Sequence, residues 1–231
     1  MPLFFIDYWY IVLVIPVLIA SLIIQAVMKS TYRKYSAVTA HAGRTGAEMA
    51  KRVMTEHGVY DVNVVPIEGE LSDHYDPRTR VVRLSRSVYE GRSVAALGVA
   101  CHEAGHAVQH AQGYFPLTAR NAIAPVVSFC SGISWFVLIL GIFMQYEIMI
   151  NIGILLFASA AVFQFITLPV EFNASRRAIV SLRQSNLLTE EELGGTKKVL
   201  TAAAMTYVAA LAMSIASLLR VILLTRNNRR D

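Results

Sequence analysis

Four runs of about twenty apolar residues, at 8–28, 122–144, 148–168 and 199–224, constrain this chain more than any other feature. A helix of that length crosses the hydrocarbon core of a bilayer, and it satisfies every backbone polar group internally while doing so. Only 16% of the residues are charged against 55% hydrophobic, too few to cover a soluble surface. The basic residues are also placed as a membrane would place them. Lys29, Arg33 and Lys34 follow the first run at once, and Arg176, Arg177, Arg183, Lys197 and Lys198 follow the third, with no Lys or Arg from 121 to 175. Positive charge collects on the cytoplasmic side, so the N-terminus is expected outside and the polar section inside. The link Gln145-Tyr146-Glu147 then makes a tight outer hairpin. The fourth run breaks the pattern, because a full crossing would leave Arg226, Arg229 and Arg230 outside. A course that bends back or lies in the interface therefore stays open.

The remaining composition excludes more than it identifies. The net charge of +5 is not gathered into interleaved basic and aromatic residues, so no nucleic-acid partner is expected. Cys101 and Cys130 have neither metal spacing nor a reason to pair. No Lys or Arg precedes the first apolar run, so no cleavable secretion signal is expected.

The polar section carries its own fold signals. Thr45-Gly46-Ala47-Glu48 has capping-box spacing, and Ala47, Ala50, Val53 and Met54 follow at helical intervals up to Gly58. Residues 62–67 and 80–85 read as strands, with Asp73-His74-Tyr75-Asp76-Pro77 as the turn between them. The expected order is a first span (1–28), a cytoplasmic domain (29–121), a two-span hairpin (122–168), a second cytoplasmic segment (169–198), and a last membrane segment with a basic tail (199–231).

Within the first cytoplasmic domain, His102-Glu103-Ala104-Gly105-His106 reads H-E-x-x-H. Ser93 is a fitting N-cap and Gly113 a fitting stop for a helix of about twenty residues around it. One helical turn separates the two histidines, so both imidazoles can reach one Zn²⁺ at about 2.0–2.1 Å. Glu103 then stands beside the metal, placed to take a proton from water without ligating. A catalytic zinc takes a third protein ligand. His110 lies about 12 Å along the helix from His102 and cannot share an ion with it. Gln109 and Gln112 stand where the metzincin pattern wants Gly and His. Glu147 belongs to the outer hairpin, and Glu190, Glu191 and Glu192 look like a solvated helix start. Glu171, the first acid after the third span, is the expected ligand. A carboxylate stabilising a helix N-terminus after Pro169 is the competing reading.

The pairing of His102-Glu103-Ala104-Gly105-His106 with Glu171-Phe172-Asn173-Ala174-Ser175 resembles the YugP-type neutral zinc metallopeptidases, a bacterial membrane family. More distantly it is similar to HtpX-type membrane peptidases. The resemblance covers nearly the whole chain, including Thr45-Gly46-Ala47-Glu48, Asp73-His74-Tyr75-Asp76-Pro77-Arg78 and Leu84-Ser85. It implies zinc on His102, His106 and Glu171 with Glu103 as the catalytic base. HtpX-type relatives carry Asp four residues after the ligand Glu, where this chain has Ser175. Ser175 and Asn173 therefore compete as the partner that orients a metal-bound histidine. His74, His110 and Tyr207 are the candidate donors to a reaction oxyanion.

The expected molecule is an α-helical integral membrane protein with about four membrane segments and a small α+β, zincin-like catalytic domain. It sits in the bacterial cytoplasmic membrane as a multi-pass protein, with its active site facing the cytoplasm. It is expected to hydrolyse peptide bonds in membrane or membrane-proximal proteins, the substrate strand pairing with residues 80–85. A non-catalytic zinc-binding membrane scaffold and a zinc hydrolase acting on lipid are the alternatives.

Overall fold

A computed structural model describes residues 7–41 and 43–227; Arg229 and Arg230 of the tail lie outside them. The chain divides into two compact units. One comprises Met1–Gln25, Ala119–Leu168 and Thr206–Asp231; the other comprises Ala26–Thr118 and Pro169–Met205.

The described residues of the first unit are helical apart from Asp7 and the link at 144–146. A π-helical turn, Tyr10–Val14, leads into α1, Ile15–Ser36. The other helices entering this unit are α5 (Phe115–Phe143), α6 (Glu147–Gln184) and α7 (Glu190–Asn227). These four are the helices long and apolar enough to cross a membrane. A tight link joins α5 to α6 as expected, with Gln145 at φ 55°. The two helices then approach so closely that a Cβ on Gly153 would meet the Leu138 side chain at 2.6 Å, the small-residue contact that apolar helices use in lipid. Asp7 sits just before the first helix and Arg220 near the end of α7. Their ion pair is bidentate through Arg220, at 2.8 Å from Nε and 2.6 Å from Nη2. The guanidinium also lies 5.1 Å from the Tyr10 ring centroid. α7 therefore does not turn back, since its far end packs beside the start of the first helix.

In the second unit, α2 (Gly46–Glu56) begins with the expected capping box: Glu48 N–H donates to Thr45 Oγ1, and Thr45 N–H donates to the Glu48 carboxylate. Its apolar stripe, Met49, Val53 and Met54, packs on α4 (Val94–Ala111). Strands β1 (Asn63–Ile67), β2 (His74–Asp76) and β3 (Val81–Ser85) form one sheet in the order β1-β3-β2. β1 runs parallel to β3, with Val64 opposite Val82; β2 runs antiparallel, with Tyr75 opposite Val82. The one-turn helix α3 (Arg86–Tyr89) links β3 toward α4. Val82, Leu84, Val88, Leu97, Ala178 and Leu182 close the core.

Three expectations need correction. Residues 73–77 are not simply a turn: His74–Asp76 is the edge strand β2, and the reversal comes one step later. There Asp76 accepts the N–H of Arg78 and Arg80 adopts φ 52°. β3 is consequently the central strand, and residues 80–85 have no free edge to offer a substrate. Finally, α6 does not end at Pro169. It runs unbroken to Gln184 because Val170, Ala174, Ala178 and Leu182, each fully buried, form a stripe at helical spacing that the second unit packs. The other helix bounds also shift, α1 running to Ser36 and α5 starting at Phe115.

Candidate metal centre

α4 and α6 build the site, and both contributions lie in the second unit. Ser93 caps α4 by accepting the Ala96 N–H, and Gly113, at φ +62°, stands just past its end. The helix therefore carries His102, Glu103 and His106 on a rigid and almost wholly buried segment. α6 crosses it at Gly105. A Cβ there would stand 3.0 Å from the Ala174 carbonyl oxygen, so the absence of a side chain lets the two backbones meet. That contact brings Glu171 over the two histidines. Its Oε2 lies 3.3 Å from His102 Nε2 and 3.6 Å from His106 Nε2. The three ligand atoms all fall within 4.8 Å of one another. Glu171 lies inside α6, which removes the helix-N-terminus reading of its carboxylate.

The opposite edge of each imidazole is already engaged. His102 Nδ1 is 3.1 Å from Ser175 Oγ, and His106 Nδ1 is 3.0 Å from Gln109 Oε1. The Gln109 amide cannot be reversed, because its Nε2 donates to two acceptors, the Val170 carbonyl and Asn173 Oδ1, each at 2.9 Å. Gln109 Oε1 can only accept, so His106 Nδ1 carries the proton and Nε2 keeps a bare lone pair aimed at Glu171. Arg177 continues the chain of contacts, donating to Asn173 Oδ1 at 2.7 Å and to Gln112 Oε1 at 2.7 Å. The two competing partners thus divide the work: Ser175 serves His102, while Asn173 serves His106 through Gln109.

Two imidazole nitrogens and a buried carboxylate converging in this way form the donor set of a divalent zinc site with an open fourth position. The residues fit zinc by their chemistry as well as their spacing, since His106 Nε2 is held as a lone-pair donor and the Ser175 hydroxyl can accept from His102 Nδ1 to leave its Nε2 the same role. Glu103 is buried beside this group, with 9% of its surface exposed. Burial pushes its carboxyl up to about 7; the charge of Glu171 adds to that rise and His102 opposes it. A proton carrier with an affinity near neutrality suits general acid–base work.

The other sequence candidates scatter. His110 turns away, its Nδ1 2.7 Å from the Tyr75 hydroxyl. His74 is exposed on β2, with Nδ1 2.7 Å from the Ser72 carbonyl oxygen. Tyr207 belongs to the other unit. Glu147 opens α6, and Glu190, Glu191 and Glu192 open α7, where Glu192 and Thr189 exchange capping hydrogen bonds. Cys101, though adjacent to His102, is fully buried, and burial pushes its thiol well above the usual range, which leaves it a poor nucleophile. Gln109 is the residue that sequence reasoning passed over. Its signal was available: a lone amide three residues after His106, on the same face of an otherwise apolar helix.

Comparison with known proteins agrees with this geometry. Residues 10–226 match a family described as "putative neutral zinc metallopeptidase". A Bacillus subtilis (strain 168) protein named "putative membrane protease YugP" is 48% identical over 207 residues, covering 90% of this chain and 92% of that protein. No solved structure matches the chain.

Proposed function

The chain belongs to the neutral zinc metallopeptidase family, and from that premise we propose that it is a membrane-bound zinc peptidase whose catalytic base is Glu103. The observation that carries the proposal is the convergence of His102, His106 and Glu171, with the buried Glu103 carboxyl beside them. In this reading His102 and His106 hold zinc through Nε2 and Glu171 through its carboxylate, while Ser175 and Gln109 keep the rings from rotating. Bound zinc supplies Lewis acidity, polarising the scissile carbonyl and acidifying a water molecule. Glu103 accepts the proton of the attacking water and delivers it to the leaving amine nitrogen.

The substrate is read as an extended segment of a membrane or membrane-proximal protein. With β3 enclosed, the free edge of β2 is the strand that would pair with it. His74 lies on that strand, which supports it as the oxyanion donor over His110, whose Nδ1 is taken by the Tyr75 hydroxyl, and over Tyr207. The placement of basic residues supports the bacterial cytoplasmic membrane as the location, with the site facing the cytoplasm. The second unit is read as a small zincin-like catalytic domain, on the strength of one short sheet beside a helix bearing the motif.

Glu103→Gln separates this reading from a non-catalytic zinc scaffold. The substitution keeps shape and removes the base. Purified variant should hold as much zinc as the wild type while turnover of a membrane-protein substrate, read as new N-termini, falls about 10²–10⁴-fold. Full activity in the variant would overturn the mechanism. A wild type that binds zinc and releases no new N-termini from any membrane protein would establish the scaffold instead.

A further inference from the structure

A cavity of about 770 Å³ opens in the second unit, and none of the metal-centre residues lines it. Its walls are basic and hydroxyl-bearing. Lys29 and Arg33 come from α1, one helical turn apart and so on one face. Arg92 and Ser93 come from the segment before α4, and Ser36 and Thr39 from the end of α1 and the residues just after it. The fold builds this meeting of distant residues. Ala40 N–H donates to the Arg92 carbonyl at 2.8 Å, and Val94 N–H donates to the Val38 carbonyl at 2.9 Å, tying residues 38–40 to 92–94. Thr39 and Ser93 pair as an isolated bridge between them. Neither Lys29, Arg33 nor Arg92 makes an ion pair among the described residues, whereas Arg86 close by in sequence is paired with Glu68. One acid, Glu70, stands against three cations. The dipole of α4, whose N-terminal end is at Ser93, adds positive potential there.

Such a wall selects a phosphate. Its source is indicated by Lys29, which follows directly on the apolar run of α1 and so belongs at the depth of lipid head groups. We propose that this cavity binds the head group of an anionic phospholipid, its phosphate held by Lys29, Arg33 and Arg92. Arg92 stands two residues before α4, so a lipid held there would fasten the start of the helix that carries His102, Glu103 and His106. This site is independent of whether the metal centre cleaves peptides.

The test uses the full-length protein in neutral detergent micelles, titrated with phosphatidylglycerol, phosphatidylcholine or inorganic phosphate. Retained lipid is counted by native mass spectrometry and the unfolding temperature is followed. Phosphatidylglycerol should be retained and should raise the unfolding temperature; phosphatidylcholine should do neither. Arg92→Gln should weaken retention about tenfold, the scale of a lost charge-assisted phosphate contact near an anionic surface. Arg86→Gln removes the same charge outside the cavity and should change retention less than about twofold. Equal losses in both variants, or none in Arg92→Gln, would overturn the proposal. Stabilisation by inorganic phosphate matching that by phosphatidylglycerol would overturn the lipid as the source. Should Arg92→Gln fail to fold, Arg33→Gln carries the same comparison with the same two outcomes.

Discussion

Three side chains decide the metal centre and two more decide how well it is held. Glu171→Ala removes the one carboxylate that, among the described residues, clusters with both histidines, so purified protein should lose its zinc, read as metal content per chain. Zinc that stayed at full stoichiometry would refute Glu171 as the ligand. Gln109→Leu and Ser175→Ala leave every ligand in place and free one imidazole each from its partner. Each should weaken zinc about 10–100-fold in competition with a chelator. Gln109→Leu should also unfold more easily, by about 1–3 kcal/mol, because Asn173 and the Val170 carbonyl lose a buried donor. Ser175→Ala leaves no such buried pair behind and should cost less. The two candidate histidine ligands and the candidate base stand out in the sequence because H-E-x-x-H states its own geometry: one helical turn and one adjacent acid. Glu171 needed topology to eliminate its rivals. Gln109 states nothing alone, since an amide on a helix acquires meaning only from the carbonyl across from it on α6.

At the level of elements, the long helices were legible in the sequence, but the one-turn α3 was not, and α1 and α6 run further than their apolar runs. Pro169 looked like an end because its missing N–H and its ring oppose a helix locally. What carries α6 past it is tertiary: the stripe Val170, Ala174, Ala178 and Leu182 has a buried face waiting for it. β2 was read as a turn for a similar reason. A three-residue strand shows no alternation, and acids that favour turns bracket its start and end: Asp73, just before it, accepts the Ser85 N–H, and Asp76, its last residue, accepts the Arg78 N–H. Gly105 shows the same dependence on packing. It sits inside the motif, where a helix would prefer alanine, and its value is the contact with Ala174. Gly105→Ala should therefore raise the intrinsic stability of α4 and still damage the site. A Cβ at 3.0 Å from a backbone oxygen pushes α6 off by a few tenths of an ångström. Overpacking of this kind costs about 1–3 kcal/mol, and because separating α4 from α6 relieves it, zinc affinity should fall about tenfold or more. Unchanged affinity in a folded Gly105→Ala protein would mean that the helix crossing does not set the metal geometry.

The whole molecule turns on whether α7 crosses. Positive-inside reasoning left this open, since Arg226 and the tail arginines favour the cytoplasm. The ion pair of Asp7 with Arg220 favours a crossing, from within one unit. Arg220 would be costly in or near hydrocarbon, by about 2.5–3.5 kcal/mol at mid-membrane, and one carboxylate oxygen that accepts two of its N–H groups offsets that cost while cancelling the charge. The pair also fixes geometry: residue 220 lies beside the start of the first helix, which predicts that the two ends share a side of the membrane. With the N-terminus outside, cysteines placed at Glu147 and at Arg226 in a Cys130→Ser background should react with an impermeant thiol reagent added to intact cells. A cysteine at Arg44 should be shielded. Asp7→Asn leaves Arg220 unmatched and should reduce labelling at position 226 without altering that at 147. A cysteine at 226 shielded like the one at 44, beside a reactive one at 147, would show that α7 returns to the cytoplasmic face. Labelling at 44 with shielding at 147 would invert the molecule and place the metal centre outside.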